Sequence, residues 1–334
     1  MENKRQINYL MNFVKGAACI CIVFMHCEFP GRFGVLVQCV SRFCVPFFFM
    51  VSGYFCYKES GTVDYVKKIK HIGLITLGSS VLYLLITFIW NGGGILPPAP
   101  SIKALGSWIL FNQPYYIAGQ LWFLYALLYD YIIFAIIDKL HWQKLVNVII
   151  PVGIAAYILL AQGAHLMGKS IPNMIYRNFL IEGLPLFCLG YRLRLHRNKI
   201  NVSNQWLITG FVVFTVLCPV ERLLMGRDFG VNIVTFGQVL ALFILCINNP
   251  SWGENRYLTR FGAVYSLYIY VFHPAVWHLL EKAYALVHLD DNPVAAYAMP
   301  LLCLLGAALL SIGYVQLKKL LKQLKNKKVP EAAA

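Results

Sequence analysis

The chain carries little charge. Only 13% of its 334 residues are Asp, Glu, Lys or Arg, whereas a soluble globular domain carries about 25%. Acidic residues are the scarcest, with 14 Asp and Glu against 29 Lys and Arg, and 59% of the sequence is hydrophobic. This composition excludes an ordinary soluble domain and predicts a protein that crosses a membrane several times.

Internal repeats, low-complexity segments and a separate soluble domain are also missing from the sequence, and none of its ten cysteines forms a CxxC pair. Most of these cysteines fall inside apolar runs, so we expect buried free thiols and neither a disulfide framework nor a metal site. The first apolar run lacks a small-residue cleavage site after it, and we expect it to be retained.

The apolar runs are near 20 residues long, which is the length that crosses a bilayer as a helix. We therefore predict an all-α polytopic membrane protein with about ten transmembrane helices. The predicted spans are 9–27, 35–56, 72–90, 121–138, 144–162, 175–193, 206–222, 231–248, 262–282 and 296–317.

Basic residues alternate in density from one predicted loop to the next. With both termini in the cytoplasm, most of the 29 Lys and Arg residues fall on the inner side, as the positive-inside rule requires. The net charge of +15 is thus explained by topology, and we expect no nucleic-acid partner. We predict one transmembrane domain over 1–328 and a disordered tail, 329–334, that could be a cloning remnant.

The first span contains a polar stripe. Asn12, Lys15, Ile22 and His26 fall on nearly one helix face, and Lys15 and His26 are about 16 Å apart along the axis. A titratable group at bilayer depth is costly and usually faces a protein interior or a wet cavity. The stripe predicts a site that is reached through the membrane.

Two further stretches near the N-terminus are basic. Arg42 lies in the outer half of the second span beside Pro46, and irregular backbone at this depth is tolerated where it lines a cavity. A kinked packing helix, with Arg42 extended to the headgroups, is the alternative. Residues 57–71 form a predicted cytoplasmic loop with Lys67, Lys68 and Lys70, which is either a topology signal or a phosphate clamp.

Polar residues also interrupt the fourth and sixth spans. Trp122 and Tyr125 open the fourth span, where they could belong to an aromatic belt, and Asp130 follows about two turns deeper. Glu182 lies near the middle of the sixth span, where a structural ion pair with Arg42 or Lys15 competes with a functional role.

The ninth span contains a second intramembrane histidine, His273, followed directly by Pro274. A core histidine with satisfied hydrogen bonds is the alternative to a functional one.

Together these stretches resemble the type 3 acyltransferase family of integral membrane enzymes over nearly the whole chain. Lys15 and His26, with ten residues between them, match the family's Arg/Lys-x10-His pattern. The other matching stretches follow in the family's order: 45–54, 122–124, 182–190 and 266–274. The chain departs from the family where it has Asn12 and Lys15 for Asp and Arg, and Lys67-x-x-Lys70 for Arg-x-x-Arg. Lysine keeps the charge but not the two-pronged geometry of arginine.

The resemblance implies an O-acetyltransferase of the bacterial cytoplasmic membrane. Such an enzyme moves an acetyl or other short acyl group from cytoplasmic acyl-CoA, with acetyl-CoA as the expected donor. The acceptor would be a hydroxyl of an extracytoplasmic or lipid-linked carbohydrate, such as a cell-envelope polysaccharide. The run from Glu182 to Pro185 also resembles the membrane part of vancomycin-resistance serine racemases, a resemblance limited to that membrane half.

Site roles follow from the resemblance. His26 would deprotonate the acceptor hydroxyl or carry the acyl group itself, and Lys15, Arg42 and Glu182 would complete the catalytic group. Arg42 or Ser52 would stabilise the oxyanion, and Glu182 would orient the imidazole or balance Arg42. Lys67 and Lys70 would bind the CoA phosphates. The expected substrate contacts are Asn12, Ser52, Trp122, Tyr125, Asp130 and His273.

A transporter or exporter of a small polar solute, such as an amino acid, is the competing class. Intramembrane charges and proline-broken helices are transporter features as well. Against it, the sequence has no inverted repeat.

Overall fold

The computed structural model describes residues 7–59, 62–90, 101–114, 118–289 and 291–328. The predicted tail 329–334 lies outside these residues, which contain helices and no strand. The α-helices are α1 Tyr9–His26, α2 Gly31–Ser41, α3 Cys44–Tyr54, α4 Tyr65–Trp90, α5 Ile102–Phe111, α6 Trp122–Lys139, α7 Val146–Ile158, α8 Ala164–Leu166, α9 Asn173–Tyr176, α10 Leu184–Leu195, α11 Asn204–Met225, α12 Ile233–Asn248, α13 Tyr257–Val264, α14 Ser266–Leu286 and α15 Pro293–Lys328. Two π-helical turns, Leu159–Gly163 and Phe179–Gly183, precede α8 and α10.

Seven helical stretches among the described residues are long and apolar enough to cross a membrane. They are Tyr9–His26, Gly31–Tyr54, Tyr65–Trp90, Gly119–Lys139, Gln143–Leu166, Asn204–Met225 and Pro293–Leu324. The other predicted spans, 175–193, 231–248 and 262–282, coincide with helices that are shorter, interrupted or more polar. The all-helical, multi-pass fold is confirmed, and the count of ten and the cytoplasmic termini stay predictions.

The cysteines agree with the sequence prediction. All ten are free thiols, and nine of them are buried, Cys21 being partly exposed. They pack as small apolar side chains in the helix bundle, as free cysteine commonly does.

The described residues form two packed units, each considered by itself. The terminal unit comprises 7–41 and 251–328, and the central unit comprises 42–250. Each unit is held together by its own set of helix contacts. The candidate residues are distributed over the two units.

In the terminal unit, α1 packs against α13, α14 and α15. A Cβ added at Gly262 of α13 would lie 2.1 Å from the backbone oxygen of Asn12, so the two helices touch through their backbones. The Cys19 thiol donates to the carbonyl of Ser266 in α14, at 3.4 Å. These contacts fix the rotation of α1, and with it the directions in which Lys15 and His26 leave the helix.

In the central unit, α3 packs against α10 with equal closeness. A Cβ added at Gly190 would lie 1.9 Å from the backbone oxygen of Met50, and one added at Gly53 would lie 1.8 Å from that of Phe187. Helices this close need small residues on both faces, which is the usual device in membrane bundles.

Two local departures from regular helix affect the candidate residues. The second predicted span is broken at Arg42 and Phe43, between α2 and α3, and Pro46 falls in the first turn of α3. A proline is tolerated there because the first-turn N–H groups have no helical partner. Glu182 lies in the π-helical turn Phe179–Gly183, a form of helix that occurs frequently at functional sites.

Candidate functional site

His26 is the last residue of α1 and contacts the ring of His273 in α14. The two ring centroids are 5.2 Å apart, and the rings are tilted by 36°. His273 is completely buried, whereas His26 is only partly buried. Two imidazoles separated by 247 positions in the chain therefore form one contact, with His26 as its accessible member.

Lys15 lies on the same unbroken helix as His26, as the eleven-residue spacing predicts. It is partly buried, and the thiol of Cys19, one turn later on α1, interacts with its charge. Asn12, one turn earlier, is partly buried at the contact with Gly262. The polar stripe of the first span is thus built into the terminal unit.

In the central unit, Arg42 forms an ion pair with Asp228. The same carboxylate oxygen lies 3.3 Å from Nη1 of Arg222, and the other oxygen accepts the backbone N–H of Gly230 at 2.9 Å. Two arginines thus share one carboxylate in the loop between α11 and α12. The partner of Arg42 is therefore a loop residue. The sequence had instead predicted that Arg42 pairs with Glu182 or extends to the lipid headgroups.

The environment of Asp228 favours its charged form. Its burial would raise the pKa of the carboxyl, but Arg42, the Gly230 N–H and Arg222 outweigh that effect, so the pKa lies below its usual value. The stability that this carboxylate supplies is therefore present above the ordinary Asp pKa of about 3.9 and is lost as the pH falls through the lower folded value.

We expect Asp228→Asn to lower the free energy of unfolding by about 1–3 kcal/mol at pH 7, because two arginines lose their shared charge. The amide oxygen can still accept the Gly230 N–H. Thermal unfolding in detergent between pH 3 and pH 7 measures this difference, which should shrink below about pH 4. The exposed Asp291→Asn is the matched control. A difference that is equally large at pH 3 would contradict the assignment.

Glu182 is buried, with 3% of its surface exposed, and its Oε2 has no hydrogen-bond partner among the described residues. The positive charges of Arg177 and Arg42 interact electrostatically with its carboxyl group. The Arg177 guanidinium itself stacks over the ring of Trp122, 4.8 Å from the centroid. Trp122 is therefore a packing partner of an arginine in the interior and is largely buried, unlike a residue of an exposed aromatic belt.

Three other predicted substrate contacts have different surroundings in the central unit. Asp130 is fully buried, and neither of its carboxyl oxygens has a hydrogen-bond partner among the described residues. It lies against Gly183, whose added Cβ would be 2.6 Å from Oδ2. Ser52 donates its hydroxyl to the carbonyl of Phe48 at 2.8 Å, and the Tyr125 hydroxyl is bonded to Ser80 at 2.8 Å. The Ser52 proton is thus already used.

Comparison with known proteins identifies the family. The family model described as an acyltransferase domain matches residues 8–312, nearly the whole chain. The chain belongs to the type 3 acyltransferase family. No curated protein and no solved structure matches it. The protein is accordingly a multi-pass membrane acyltransferase.

The acyltransferase has a basic surface where α4 begins. Lys67 and Lys70 are exposed and lie on α4, which starts at Tyr65 instead of residue 72, so the predicted loop is partly helical. The carboxylate of Asp64 accepts the N–H of Lys67 at 2.8 Å and caps the helix.

Two arginines at the end of α10 and just after it contact residues between α3 and α4 or at the end of α3. Arg194 donates to the Tyr54 hydroxyl at 2.9 Å, and Arg197 pairs with Glu59 at 2.6 Å. Within the acyltransferase they place guanidinium groups near the end of α3 and the segment that leads to α4.

Sequence reasoning missed Asp228 as the partner of Arg42. Asp228 is 186 positions from Arg42, and no spacing or motif connects them. Among the described residues, no group of three or more His, Cys, Asp or Glu side chains is placed to hold a metal ion.

Proposed function

We propose that this acyltransferase moves an acetyl or other short acyl group from cytoplasmic acyl-CoA to a hydroxyl of an extracytoplasmic or lipid-linked carbohydrate. The observation that carries the proposal is the family match over residues 8–312, combined with His26 as an accessible imidazole at the end of α1. The proposed setting is the cytoplasmic membrane of a bacterium, with a cell-envelope carbohydrate as the acceptor.

His26 supplies the chemistry that the transfer needs. An imidazole has an unperturbed pKa near 6.5 and can take a proton from a hydroxyl at neutral pH. As the acceptor oxygen bonds to the acyl carbon, its proton passes to a ring nitrogen of His26. The C–S bond of the thioester then breaks, and the electron pair leaves with the CoA thiolate. In the covalent route the same nitrogen carries the acyl group first.

Lys67 and Lys70 are proposed to bind the phosphates of the donor. They are exposed and occupy positions i and i+3 of α4. Residues with this spacing are neighbours on one helix face, so one phosphate group can contact both. Lys is a common phosphate partner as a point charge. Arg194 and Arg197 add positive charge at this part of the central unit, although both are already paired.

The remaining intramembrane charges are assigned supporting roles. Lys15 is proposed to attract the anionic donor on its way to His26. Arg42 is proposed to stabilise the oxyanion, since positioned cations and N–H donors at a developing negative charge supply several kcal/mol. The buried Glu182, with Arg177 and Arg42 as its charged neighbours, would balance the charge of Arg42.

Purified protein should be stabilised against heat by CoA. A ligand at 100 times its dissociation constant adds about 2.7 kcal/mol to the free energy of unfolding, because only the folded state binds it. Thermal unfolding in detergent with and without CoA or acetyl-CoA measures the effect. We expect the double variant Lys67→Ala, Lys70→Ala to lose most of this shift.

The exposed Lys144→Ala, on the same predicted side of the membrane, is the control and should keep the shift. An absent CoA effect in the unchanged protein, together with solute uptake into proteoliposomes, would replace the proposal by the transport alternative. Mass spectrometry of envelope carbohydrates from cells with and without the gene then identifies the acylated hydroxyl.

A further inference from the structure

The hydrogen bonding of His273 fixes its tautomer. Nδ1 lies 3.2 Å from the carbonyl oxygen of Ile269, one turn earlier in α14. A carbonyl only accepts, so Nδ1 carries the proton, and in the neutral ring Nε2 then presents a lone pair. Pro274 reinforces this arrangement, because its missing N–H leaves the carbonyl of Tyr270 without its usual helical donor, and the His273 ring lies against that carbonyl as well.

The lone pair of His273 Nε2 is buried without a hydrogen-bond donor among the described residues. A buried polar atom without a partner costs about 1–3 kcal/mol in general, and such atoms in native structures call for an explanation. His273 has no exposed surface, so a substrate cannot touch it in this conformation. Any role in the reaction must pass through a neighbouring side chain.

His26 is the neighbouring side chain that meets this requirement. Its ring centroid is 5.2 Å from that of His273. Two imidazoles joined in line by an N–H···N bond of about 2.9 Å have centroids about 5 Å apart, so the observed separation matches that of such a hydrogen-bonded pair. Hydrogen bonds of this kind are often misaligned before the substrate binds.

We propose that His273 is a positioning residue for His26, a role that rests on the acyl transfer proposed above. When His26 takes the hydroxyl proton at one ring nitrogen, its other N–H donates to Nε2 of His273. The proton stays on His26, and His273 stays neutral, holding the ring direction and the tautomer of His26. The pair works as the imidazole and its orienting acceptor do in hydrolytic triads, with a second histidine in place of the carboxylate.

Two conservative variants separate this role from simple packing. In His273→Gln the amide oxygen can take the place of Nε2, so the acceptor is kept. In His273→Asn the shorter side chain can keep only the contact made by Nδ1. We expect the Gln variant to keep kcat within about tenfold of the unchanged enzyme, and the Asn variant to lose about 100-fold or more in kcat, in the range typical of acid–base groups. The KM values and the melting temperature should stay nearly unchanged in both. An Asn variant as active as the Gln variant, or a loss confined to KM, would overturn the proposal.

A second measurement does not depend on acyl transfer. Diethyl pyrocarbonate acylates the unprotonated nitrogen of imidazole, and peptide mass spectrometry gives the rate at each histidine. The exposed His278 is the internal reference. We expect His273→Asn to slow the modification of His26 severalfold relative to His278, and His273→Gln to leave it nearly unchanged. Equal rates in both variants would refute the positioning role. A slowed rate in a protein without acyltransferase activity would instead support positioning and refute the proposed function.

Discussion

His26→Ala should abolish acyl transfer while the protein remains folded. Removal of the imidazole takes away the proton acceptor or, in the covalent route, the nucleophile, and such groups contribute about 10²- to 10⁴-fold to rate. The measurement is acetyl transfer from labelled acetyl-CoA to envelope carbohydrate in membranes with matched amounts of protein. His26 lies at the end of α1 and is partly buried, so its truncation leaves the contacts of Gly16 and Gly262 in place.

His278→Ala is the matched control for this loss. It removes an imidazole from α14, but from an exposed position where it pairs with Glu281. Its activity should equal that of the unchanged enzyme, and CoA should stabilise both variants equally, because neither residue is assigned to the CoA phosphates. Normal acyl transfer by a well-expressed His26→Ala protein would show that His26 is neither the proton acceptor nor the nucleophile.

The second large effect is expected on folding. Gly190→Ala and Gly53→Ala each place a methyl group less than 2 Å from a backbone oxygen of the opposite helix, 1.9 Å for Gly190 and 1.8 Å for Gly53. Backbone atoms cannot move aside as a side chain can, so α3 and α10 must separate. We expect each variant to lose about 3 kcal/mol or more, at the upper end of the cost of overpacking, and to give little folded protein on size-exclusion chromatography in detergent.

Gly78→Ala provides the comparison, since an added Cβ on this helical glycine of α4 meets no atom within 4 Å. Alanine is favoured over glycine in a helix by about 1 kcal/mol, so this variant should be as stable as the unchanged protein or slightly more stable. Similar stability of all three alanine variants would show that α3 and α10 are not in backbone contact.

Local features of the fold could be predicted from the sequence. Long apolar runs lead to helices because backbone groups in a bilayer must bond within their own segment. The spacing of Lys15 and His26 places them on one helix face for the same local reason, and both lie on α1. The predicted start of the third span was less accurate, because a hydropathy pattern does not detect the polar first turns that Asp64 caps.

Contacts between distant residues could not be predicted. The ion pair of Arg42 with Asp228 and the contact of His26 with His273 depend on how helices pack, and packing is decided by shape at many positions together. The π-helical turn that contains Glu182 has no sequence signal of its own. The roles of the substrate contacts, among them Trp122 and Asp130, therefore stay predictions.

The cysteines have a practical consequence for mapping the membrane crossings. Nine of the ten thiols are buried and the tenth is only partly exposed, so a maleimide that cannot cross the bilayer has little native sulfur to react with. Labelling of a single cysteine introduced at an exposed loop position can then be measured with little labelling of the native thiols, which need not be removed first. Accessibility from one face of sealed vesicles, loop by loop, will decide how many times the chain crosses and on which side each end emerges.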